Sequence, residues 1–410
     1  MKTKKLIDCC EFISDGDHLP PPKSDNGVPF ITISNITGQN KLSFEGTMFV
    51  PESYYNGLSE NKKAQKGDIL YSVVGSFGKP VYIDFDKQMV FQRHIAILRP
   101  KRNVNARFIY YTMLNPQFYK LVDKLAIGCS QRTVTLDTLR NIEISLPDKD
   151  IQDKTVEVLS LIDRKIDENC KINDNLQQQL RLLYDYWFTQ FDFPDKNGKP
   201  YRSSGGKMVW NEQLKREIPQ KWQCINIRDI TSITWGQCPD GINILDKSTA
   251  GNELLDYCSG AGDMKGGFVV DCQAKTDNSK RLAHKNDILV SVAGKIGDMC
   301  VVDHTISLGR AAMAYTANNF DETSFIYLTL HALNKKMTTI SSGSIQKVIN
   351  NDHIDAFIFP YCEDIVLRFS SVTMDIYGKL IEIANENKKL IELRDWLLPM
   401  LMNGQAVVED

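Results

Sequence analysis

Two short segments combine residue types that can bind nucleic acid. GCSQRTV at 128–134 and GSIQKVI at 343–349 each place a glutamine and a cation shortly after a glycine. A glutamine can bond an adenine edge through two hydrogen bonds, and arginine or lysine can bind phosphate or guanine. The candidates are Ser130, Gln131, Arg132, Ser344, Gln346 and Lys347. Because both segments share one pattern, backbone contact is favoured over base reading, and a structural turn before the strand-like runs IEISLP and AFIFP is the alternative.

Polar residues in two other matched pairs of segments extend this set. FISDG at 12–16 matches SITWG at 232–236, and MVFQR matches ISLGR. Loops with polar side chains are suited to reading base edges. The candidates are Asp15, His18 and Lys23 in the first opening loop, Gln237 and Asp240 in the second, and the arginines Arg93 and Arg310. The two arginines can equally form salt bridges at strand ends.

These segments match because the chain contains a long internal repeat. GDILYSVVGSFGK at 67–79 and NDILVSVAGKIGD at 286–298 share an aspartate, a serine and two glycines at the same spacing. The matched pairs keep the same order along the chain, and their offset falls slowly, as small loop deletions would cause. Two long copies, rather than many short ones, indicate a duplicated unit and not a solenoid.

Each copy ends in a long run with heptad periodicity. The first run covers about Ile151–Phe188, and the second covers about Asp364–Met402. Both runs place an asparagine, Asn173 or Asn387, at an equivalent a position. The matching registers predict a paired coiled coil, and if the two helices run antiparallel the two amides meet near a pseudo-two-fold axis. Two amphipathic helices that each cover a local core are the alternative.

The predicted fold class is α+β, with two α/β domains separated by two long helices and related by a pseudo-two-fold internal repeat. The segment between the copies is rich in Gly, Pro, Ser and Lys, which predicts a linker and lead-in rather than core. The predicted boundaries are 1–147 for recognition domain 1, 148–191 for the central helix, 192–218 for the linker, 219–362 for recognition domain 2 and 363–404 for the C-terminal helix.

Composition limits the classes of protein that fit. The 410 residues are 42% hydrophobic and 24% charged, as in folded proteins with more than one domain. We find no apolar run long enough to span a membrane, no signal core and no paired-cysteine metal motif, so we expect a cytoplasmic protein with free thiols. The net charge of −2 means that any nucleic-acid surface is local.

Motifs of catalysis are missing from the sequence. It contains no phosphate-binding loop of the GxxxxGK[ST] type and no dinucleotide-binding loop. LNPQF at 114–118 has one proline too few for an amino-methyltransferase motif, and the six histidines are scattered without metal-ligand spacing. The sequence therefore predicts no catalytic residue and no metal site.

Four stretches resemble the specificity subunit of type I restriction–modification systems along nearly the whole chain. VEVLSLIDRKIDENCKINDNLQQQLRLLYDYWFTQFDFP resembles the central helical region of that family. GKPYRSSGGKMVWNEQLKREIPQKW resembles the lead into the second recognition domain, SDGDHLPPP the opening of the first, and LIELRDWLLPMLMNGQ the C-terminal helix end. The second opening, SITWGQCPDGINI, departs from the pattern of the first.

This resemblance implies a function in DNA recognition. The family implies a non-catalytic subunit that reads an asymmetric bipartite DNA target, with one recognition domain for each half. It also implies that two long antiparallel helices separate the two recognition domains. It implies docking of two methyltransferase subunits and of restriction (translocase) subunits, and it places S-adenosylmethionine, ATP and Mg²⁺ on those partners. The assembled complex would be a DNA adenine methyltransferase and an ATP-dependent endonuclease. A bivalent DNA-binding regulator without partners, or an enzyme with an unrecognised site, are the alternatives.

Overall fold

The computed structural model describes residues 2–128, 132–239, 244–247, 251, 253–265, 267–340, 348–406 and 408. The chain divides into two compact units, which are Met1–Lys165 together with Leu390–Asp410, and Ile166–Lys389. We call them unit 1 and unit 2. Each contains one copy of the repeat and part of both long helices. Among the described residues, no helix combines the length and the apolar character needed to cross a membrane.

Unit 1 is built on a four-stranded antiparallel sheet with strand order β2–β10–β7–β8. The strands of unit 1 as a whole are β1 (Lys2–Lys5), β2 (Cys10–Asp15), β3 (Val28–Ile31), β4 (Ile36–Gly38), β5 (Lys41–Leu42), β6 (Met48–Val50), β7 (Ile69–Ser72), β8 (Pro80–Tyr82), β9 (Val90–Phe91), β10 (Ile95–Pro100) and β11 (Glu143–Leu146). Its short helices are α1 (Glu52–Gly57), α2 (Ala106–Leu114), α3 (Pro116–Leu125) and α4 (Leu136–Asn141).

Unit 2 repeats this sheet with strand order β15–β23–β20–β21. Its strands are β12 (Met208–Asn211), β13 (Arg216–Pro219), β14 (Gln223–Asn226), β15 (Thr231–Trp235), β16 (Ile244–Asp246), β17 (Leu255–Cys258), β18 (Ala274–Thr276), β19 (Leu282–Ala283), β20 (Ile288–Ser291), β21 (Met299–Val301), β22 (Ile306–Leu308), β23 (Ala312–Ala317) and β24 (Ile358–Tyr361). Its helices are α6 (Ile227–Ile230) and α7 (Thr323–Ile340).

The sheet of each unit is covered on both faces, because successive side chains of a strand point to opposite sides. In β7, Ile69 and Tyr71 enter one apolar core with α2 and α3, whereas Leu70 enters a second core with Ile31. Strand β20 alternates in the same way between two cores of unit 2. A fully buried central strand explains why the repeated motif is so apolar.

The polar residues of the repeated motif build one tight turn after the central strand. Ser72 accepts a hydrogen bond from the Lys79 amide and donates one to the Ser76 carbonyl, and Ser291 makes the equivalent pair of bonds. Both glycines of the first turn adopt positive φ, 66° at Gly75 and 90° at Gly78, as do their counterparts in unit 2. Glycine adopts such φ values without the strain that a side chain brings. The motif is therefore conserved between the copies for structural reasons.

The two long heptad runs form helices α5 (Lys149–Tyr184) and α8 (Glu363–Met402), and a π-helical turn, Asp185–Thr189, extends α5. Within unit 2 the helices run antiparallel, because Asn169 bonds Asn387 while the rings of Trp187 and Phe369 lie 5.4 Å apart. Within unit 1, Asp163 of α5 pairs with Arg394 of α8, while the earlier Leu159 shares a core with the later Leu401. The predicted antiparallel arrangement is thus present in the contacts of each unit.

The direct bond predicted between Asn173 and Asn387 is not found among the hydrogen bonds of the described residues. Asn387 accepts a hydrogen bond from Asn169, 2.9 Å away, one helical turn before Asn173. The stagger of the two helices places a d position opposite this a position, and heptad spacing alone does not fix that stagger. Asn173 is buried, and its Oδ1 atom has no hydrogen-bond partner among the described residues.

The segment at 192–218 is more than a linker. Strands β12 and β13 pair as a hairpin, and Phe193 and Ile218 are buried in the main core of unit 2. Phe193 stacks on Tyr201 and on Trp222, with ring centroids 4.8 Å and 5.3 Å apart. The high content of Gly, Pro, Ser and Lys concealed these aromatic anchors, so the prediction of a segment outside the core is wrong.

The segment that contains LNPQF forms the end of helix α2 and the start of helix α3. Asn115 accepts a hydrogen bond from the Gln117 amide and caps α3, with Pro116 in its first turn. This is the usual use of an Asn-Pro pair at a helix N-terminus. Asn115 is buried and serves as a cap, which explains the motif without any catalytic role.

Candidate nucleic-acid interface

The opening loop of unit 1 lies against the turn between β9 and β10. The Gly16 amide donates to the Ile95 carbonyl at 3.0 Å, and the Arg93 amide donates to the Asp17 carbonyl at 3.0 Å. A Cβ atom at Gly16 would overlap the carbonyl oxygen of Phe91. Glycine therefore permits the approach that brings the loop residues next to Arg93.

Several polar side chains of unit 1 meet at this edge of the sheet. His18 Nε2 lies 2.6 Å from Asp15 Oδ2, and the His18 side chain is 58% exposed. Arg93 is exposed, and its Nε donates to His94 Nε2 at 3.3 Å. Burial and the Arg93 charge lower the pKa of His94, so this ring stays neutral and can accept that bond. Lys23 is also exposed.

Beneath the loop, Asp17 holds the base of this surface together. Its carboxylate is buried and accepts hydrogen bonds from the Tyr54 hydroxyl and from Lys62. Burial alone would raise the pKa of Asp17, but these two bonds outweigh burial and lower it. The resulting charge fixes the loop below the exposed residues. Asp17, Tyr54 and Lys62 were not among the candidate residues named from the sequence.

Unit 2 brings the equivalent segments together with different side chains. The Gly236 amide donates to the Ala312 carbonyl, and the Gln237 amide donates to the Leu308 carbonyl, both at 3.0 Å. Gly236 has no space for a Cβ because Gly309 O occupies it. Gln237 and Arg310 are exposed at this edge. The backbone frame of the two sites is thus shared, whereas the side chains that they present differ.

A thiol stands beside these two residues. Cys238 is exposed, and its Sγ accepts a hydrogen bond from the Tyr257 hydroxyl at 3.5 Å. This bond, together with the backbone and charge of Arg310, lowers the pKa of Cys238. The scattered cysteine positions in the sequence gave no sign of this environment.

The described residues at the end of the GCSQRTV segment, Arg132 and Thr133, pack against the glycine turn of the repeated motif. The Gly75 amide donates to the Arg132 carbonyl at 3.0 Å, and Val74 forms a β-bridge with Thr133. The Arg132 guanidinium pairs with Asp123 and lies 5.7 Å from the centre of the Phe77 ring. These contacts favour the structural-turn alternative for Arg132. In unit 2, Val348 forms the matching bridge with Ala293.

Six of the residues predicted as DNA contacts lie outside the described residues. They are Ser130, Gln131, Asp240, Ser344, Gln346 and Lys347. The structure therefore brings together Asp15, His18 and Arg93 in unit 1, and Gln237 and Arg310 in unit 2.

Two carboxylates enclose a histidine elsewhere in unit 2. His304 Nδ1 lies 2.6 Å from Asp303 Oδ1, and its Nε2 lies 3.0 Å from Asp256 Oδ2. The bonds to Asp256 and Asp303 raise the pKa of His304 to about 9. The imidazole is therefore positively charged at neutral pH and donates from both nitrogens. Within the described part of the chain, no group of three or more His, Cys, Asp or Glu residues is arranged to hold a metal ion.

The amino-acid sequence matches a known protein family. Residues 1–178 and 219–365 match the family described as the type I restriction modification DNA specificity domain. The chain is 22% identical over 411 residues to the type I restriction enzyme HindI specificity subunit of Haemophilus influenzae, covering 84% of this chain and 87% of that protein. It is 21% identical over 420 residues to the putative type I restriction enzyme MjaX specificity subunit of Methanocaldococcus jannaschii, covering 100% and 94%.

A solved structure shares the fold. The crystal structure of the type I restriction–modification system S subunit from M. genitalium matches with a TM-score of 0.58. The sequence identity is 16%, and the match covers 98% of this chain and 96% of that chain. At this identity the likeness concerns the fold, which contains the same two-copy architecture.

Proposed function

Because the chain belongs to the family of type I restriction–modification DNA specificity domains, we propose that it reads an asymmetric, bipartite DNA target with one recognition domain for each half. The observation that carries this proposal is the repeated frame with different side chains. In both units a glycine brings the opening loop against an arginine-bearing turn. Unit 1 presents Asp15 and His18 beside its arginine, whereas unit 2 presents Gln237. Different donors and acceptors in one frame select different base sequences.

The two arginines and the polar residues have separate tasks in this proposal. Each frame contains one arginine at the same place, Arg93 in unit 1 and Arg310 in unit 2. These arginines bind phosphate, which positions each unit without selecting sequence. The residues that differ between the frames contact base edges. Arg132 supports the glycine turn through Asp123 and is not among the base-reading residues.

As a specificity subunit the chain is the non-catalytic component of its system. We propose that two methyltransferase subunits dock on it to modify the target, and that restriction (translocase) subunits join them. In this proposal those partner subunits, and not this chain, bind S-adenosylmethionine, ATP and Mg²⁺. The paired helices α5 and α8 set the distance between the two half-targets, because a helix pair is stiff and its length is fixed by its sequence.

Mapping of methylated adenines tests the proposal. The chain is produced together with its methyltransferase partner in a host that lacks other adenine methylation, and modified sites are mapped across the genome. We expect one motif with two unlike halves and a constant spacer. The chain alone, incubated with DNA and S-adenosylmethionine, is expected to transfer no methyl group.

Other outcomes identify the alternatives. Methyl transfer by the chain alone would show an enzyme with an unrecognised site. Tight, sequence-specific binding by the isolated chain, with no modification in the presence of the partner, would show a regulator. A palindromic or single-part motif would overturn the bipartite reading.

A further inference from the structure

A buried arginine of helix α8 joins three elements of unit 1. Arg394 is 6% exposed, and its guanidinium lies 3.2 Å from Asp163 Oδ1, which belongs to α5. It also donates to Gln39 Oε1 at 2.9 Å and to Asp395 Oδ1 at 2.8 Å. Gln39 lies in the turn between β4 and β5, so this one side chain connects that turn with both long helices.

The partners of Arg394 are held in place by two tyrosines of α2. The Tyr111 hydroxyl donates to Asp163 Oδ2 at 2.7 Å, and the Tyr110 hydroxyl interacts with the Gln39 side chain. Burial and the Asp163 charge raise the pKa of Tyr111, so its hydroxyl stays protonated and donates. Burial would lower the pKa of Arg394, but Asp395 and Asp163 outweigh burial and raise it, so the arginine stays charged.

The turn that carries Gln39 is itself fixed to the sheet. Asn40 adopts a positive φ of 51°, and its Oδ1 accepts a hydrogen bond from the Tyr82 amide of β8 at 2.7 Å. The guanidinium of Arg107 lies 4.4 Å from the centre of the Tyr82 ring. A displacement of Gln39 would therefore be transmitted to an edge strand of the central sheet.

In unit 2, uncharged side chains occupy the positions that correspond to Arg394 and Asp163. By heptad position, Leu180 is the counterpart of Arg394, and Tyr377 is the counterpart of Asp163. Both are buried, and the Tyr377 ring lies 5.3 Å from that of Phe268 and 5.8 Å from that of Tyr327. Since apolar side chains fill these positions in one copy, the fold does not require a buried charge network there. Such networks add little stability over apolar packing, but their directional bonds can fix one geometry.

We propose that Arg394 is a positioning residue for DNA recognition by unit 1, acting through Gln39 and Asp163 on the orientation of the recognition domain against the long helices. This inference rests on the proposed function. The hydrogen-bond and ion-pair partners of Arg394 are Gln39, Asp163 and Asp395, none of which belongs to the candidate DNA-binding edge, so it acts on recognition through these partners. The second unit, which lacks the network, reads its half-target independently of Arg394.

The test compares methylation patterns of variants in the complex with the methyltransferase subunits. Arg394→Leu introduces the residue of unit 2, and Gln39→Ala removes the contact with the turn while leaving no charge unpaired. Each is expected to reduce discrimination in the first half-target on the order of tenfold, because bonds to a charged group are lost. Discrimination in the second half-target is expected to stay unchanged. Lys379→Leu, which removes an exposed cation from the same helix, serves as the matched control.

The possible outcomes separate the two proposals. If the unmodified complex yields no bipartite motif, the proposed function fails. If it does, and both Arg394→Leu and Gln39→Ala retain full discrimination in the first half-target, the positioning role is excluded. Equal loss in both half-targets would also exclude it, since general destabilisation would then be the cause. If Arg394→Leu does not fold, Gln39→Ala alone decides, and Arg394→Lys is expected to retain intermediate discrimination because it keeps the charge without the planar fork.

Discussion

At the scale of single residues, Arg93 and Arg310 occupy the same place in two frames whose neighbouring side chains differ. A contact that both frames share is suited to the DNA backbone, which is the same at every sequence. We expect Arg93→Ala to weaken DNA binding of the assembled complex similarly for all first half-target variants. The slope of log affinity against log salt should fall by about one, because one phosphate contact is lost.

Arg102→Ala is the control for this change. Arg102 is exposed and follows β10 at its far end, whereas Arg93 precedes β10. Affinity measured at several salt concentrations should be the same for Arg102→Ala and the unmodified complex. A loss of affinity confined to particular base pairs would show instead that Arg93 reads sequence.

His304 makes the stability of unit 2 depend on pH. Its pKa in the folded chain is about 9, above the ordinary value of 6.5, because Asp256 and Asp303 bind the charged ring. A raised pKa stabilises the folded state fully below the ordinary value, and this contribution is lost as pH rises through about 9. We expect His304→Gln to lower the melting temperature at pH 6, and the two proteins to converge above pH 9. If the difference in melting temperature between the two proteins did not change with pH across this range, the charge of His304 would not contribute to stability.

At the scale of elements, the amide pair of α5 and α8 is expected to fix their register. Asn387→Leu alone leaves the Asn169 amide without one of its partners, at a cost of about 1 kcal/mol. Replacing both Asn169 and Asn387 by leucine should restore stability or raise it. The double replacement should also permit α5 and α8 to slide along each other, which would broaden the range of spacer lengths in the methylation motif. Asn173→Leu is the control, since its Oδ1 has no partner among the described residues. An unchanged spacer in the double variant would show that the amides do not set the register.

The helices are also expected to set the distance between half-targets. Insertion of four residues at the same level of α5 and α8 lengthens the pair by about 6 Å, which corresponds to roughly two base pairs. The spacer in the methylation motif should lengthen accordingly. Insertion of four residues in the β12–β13 hairpin is the control and should leave the spacer unchanged. The opposite pattern would show that the hairpin, and not the helix pair, separates the recognition sites.

The two helices show how far sequence carries the fold. Heptad spacing predicted α5 and α8, because apolar periodicity is a local property, whereas their antiparallel direction was implied by the family resemblance. It did not predict that Asn387 meets Asn169, because the stagger depends on contacts along the whole seam. The candidate edge was found as matched segments, and the structure shows that Gly16 brings Asp15 and Arg93 together. Asp17, Tyr54 and Lys62 were missed, since their partners are distant in the sequence.

At the scale of the whole molecule, each unit contains a full recognition frame. Exchange of residues 1–147 for the corresponding domain of another family member is therefore expected to change one half of the methylated motif and to leave the other half and the spacer intact. Genome-wide mapping of modified sites reads both halves in one experiment. The reverse exchange, at 219–362, is the control and should change the other half. If either exchange altered both halves, the units would not read DNA independently.

The division of the chain into units has a consequence for its synthesis. Residues from Leu390 onward belong to unit 1, where Leu398, Leu401 and Met402 share a core with Val156 and Leu159. A ribosome makes this stretch only after the whole of unit 2. Most of unit 1 is therefore synthesised before unit 2, and part of its apolar core stays open until the residues from Leu390 onward follow. A nascent chain of this kind depends on protection from aggregation during that interval, and premature termination just after Lys389 would leave unit 1, rather than unit 2, incomplete.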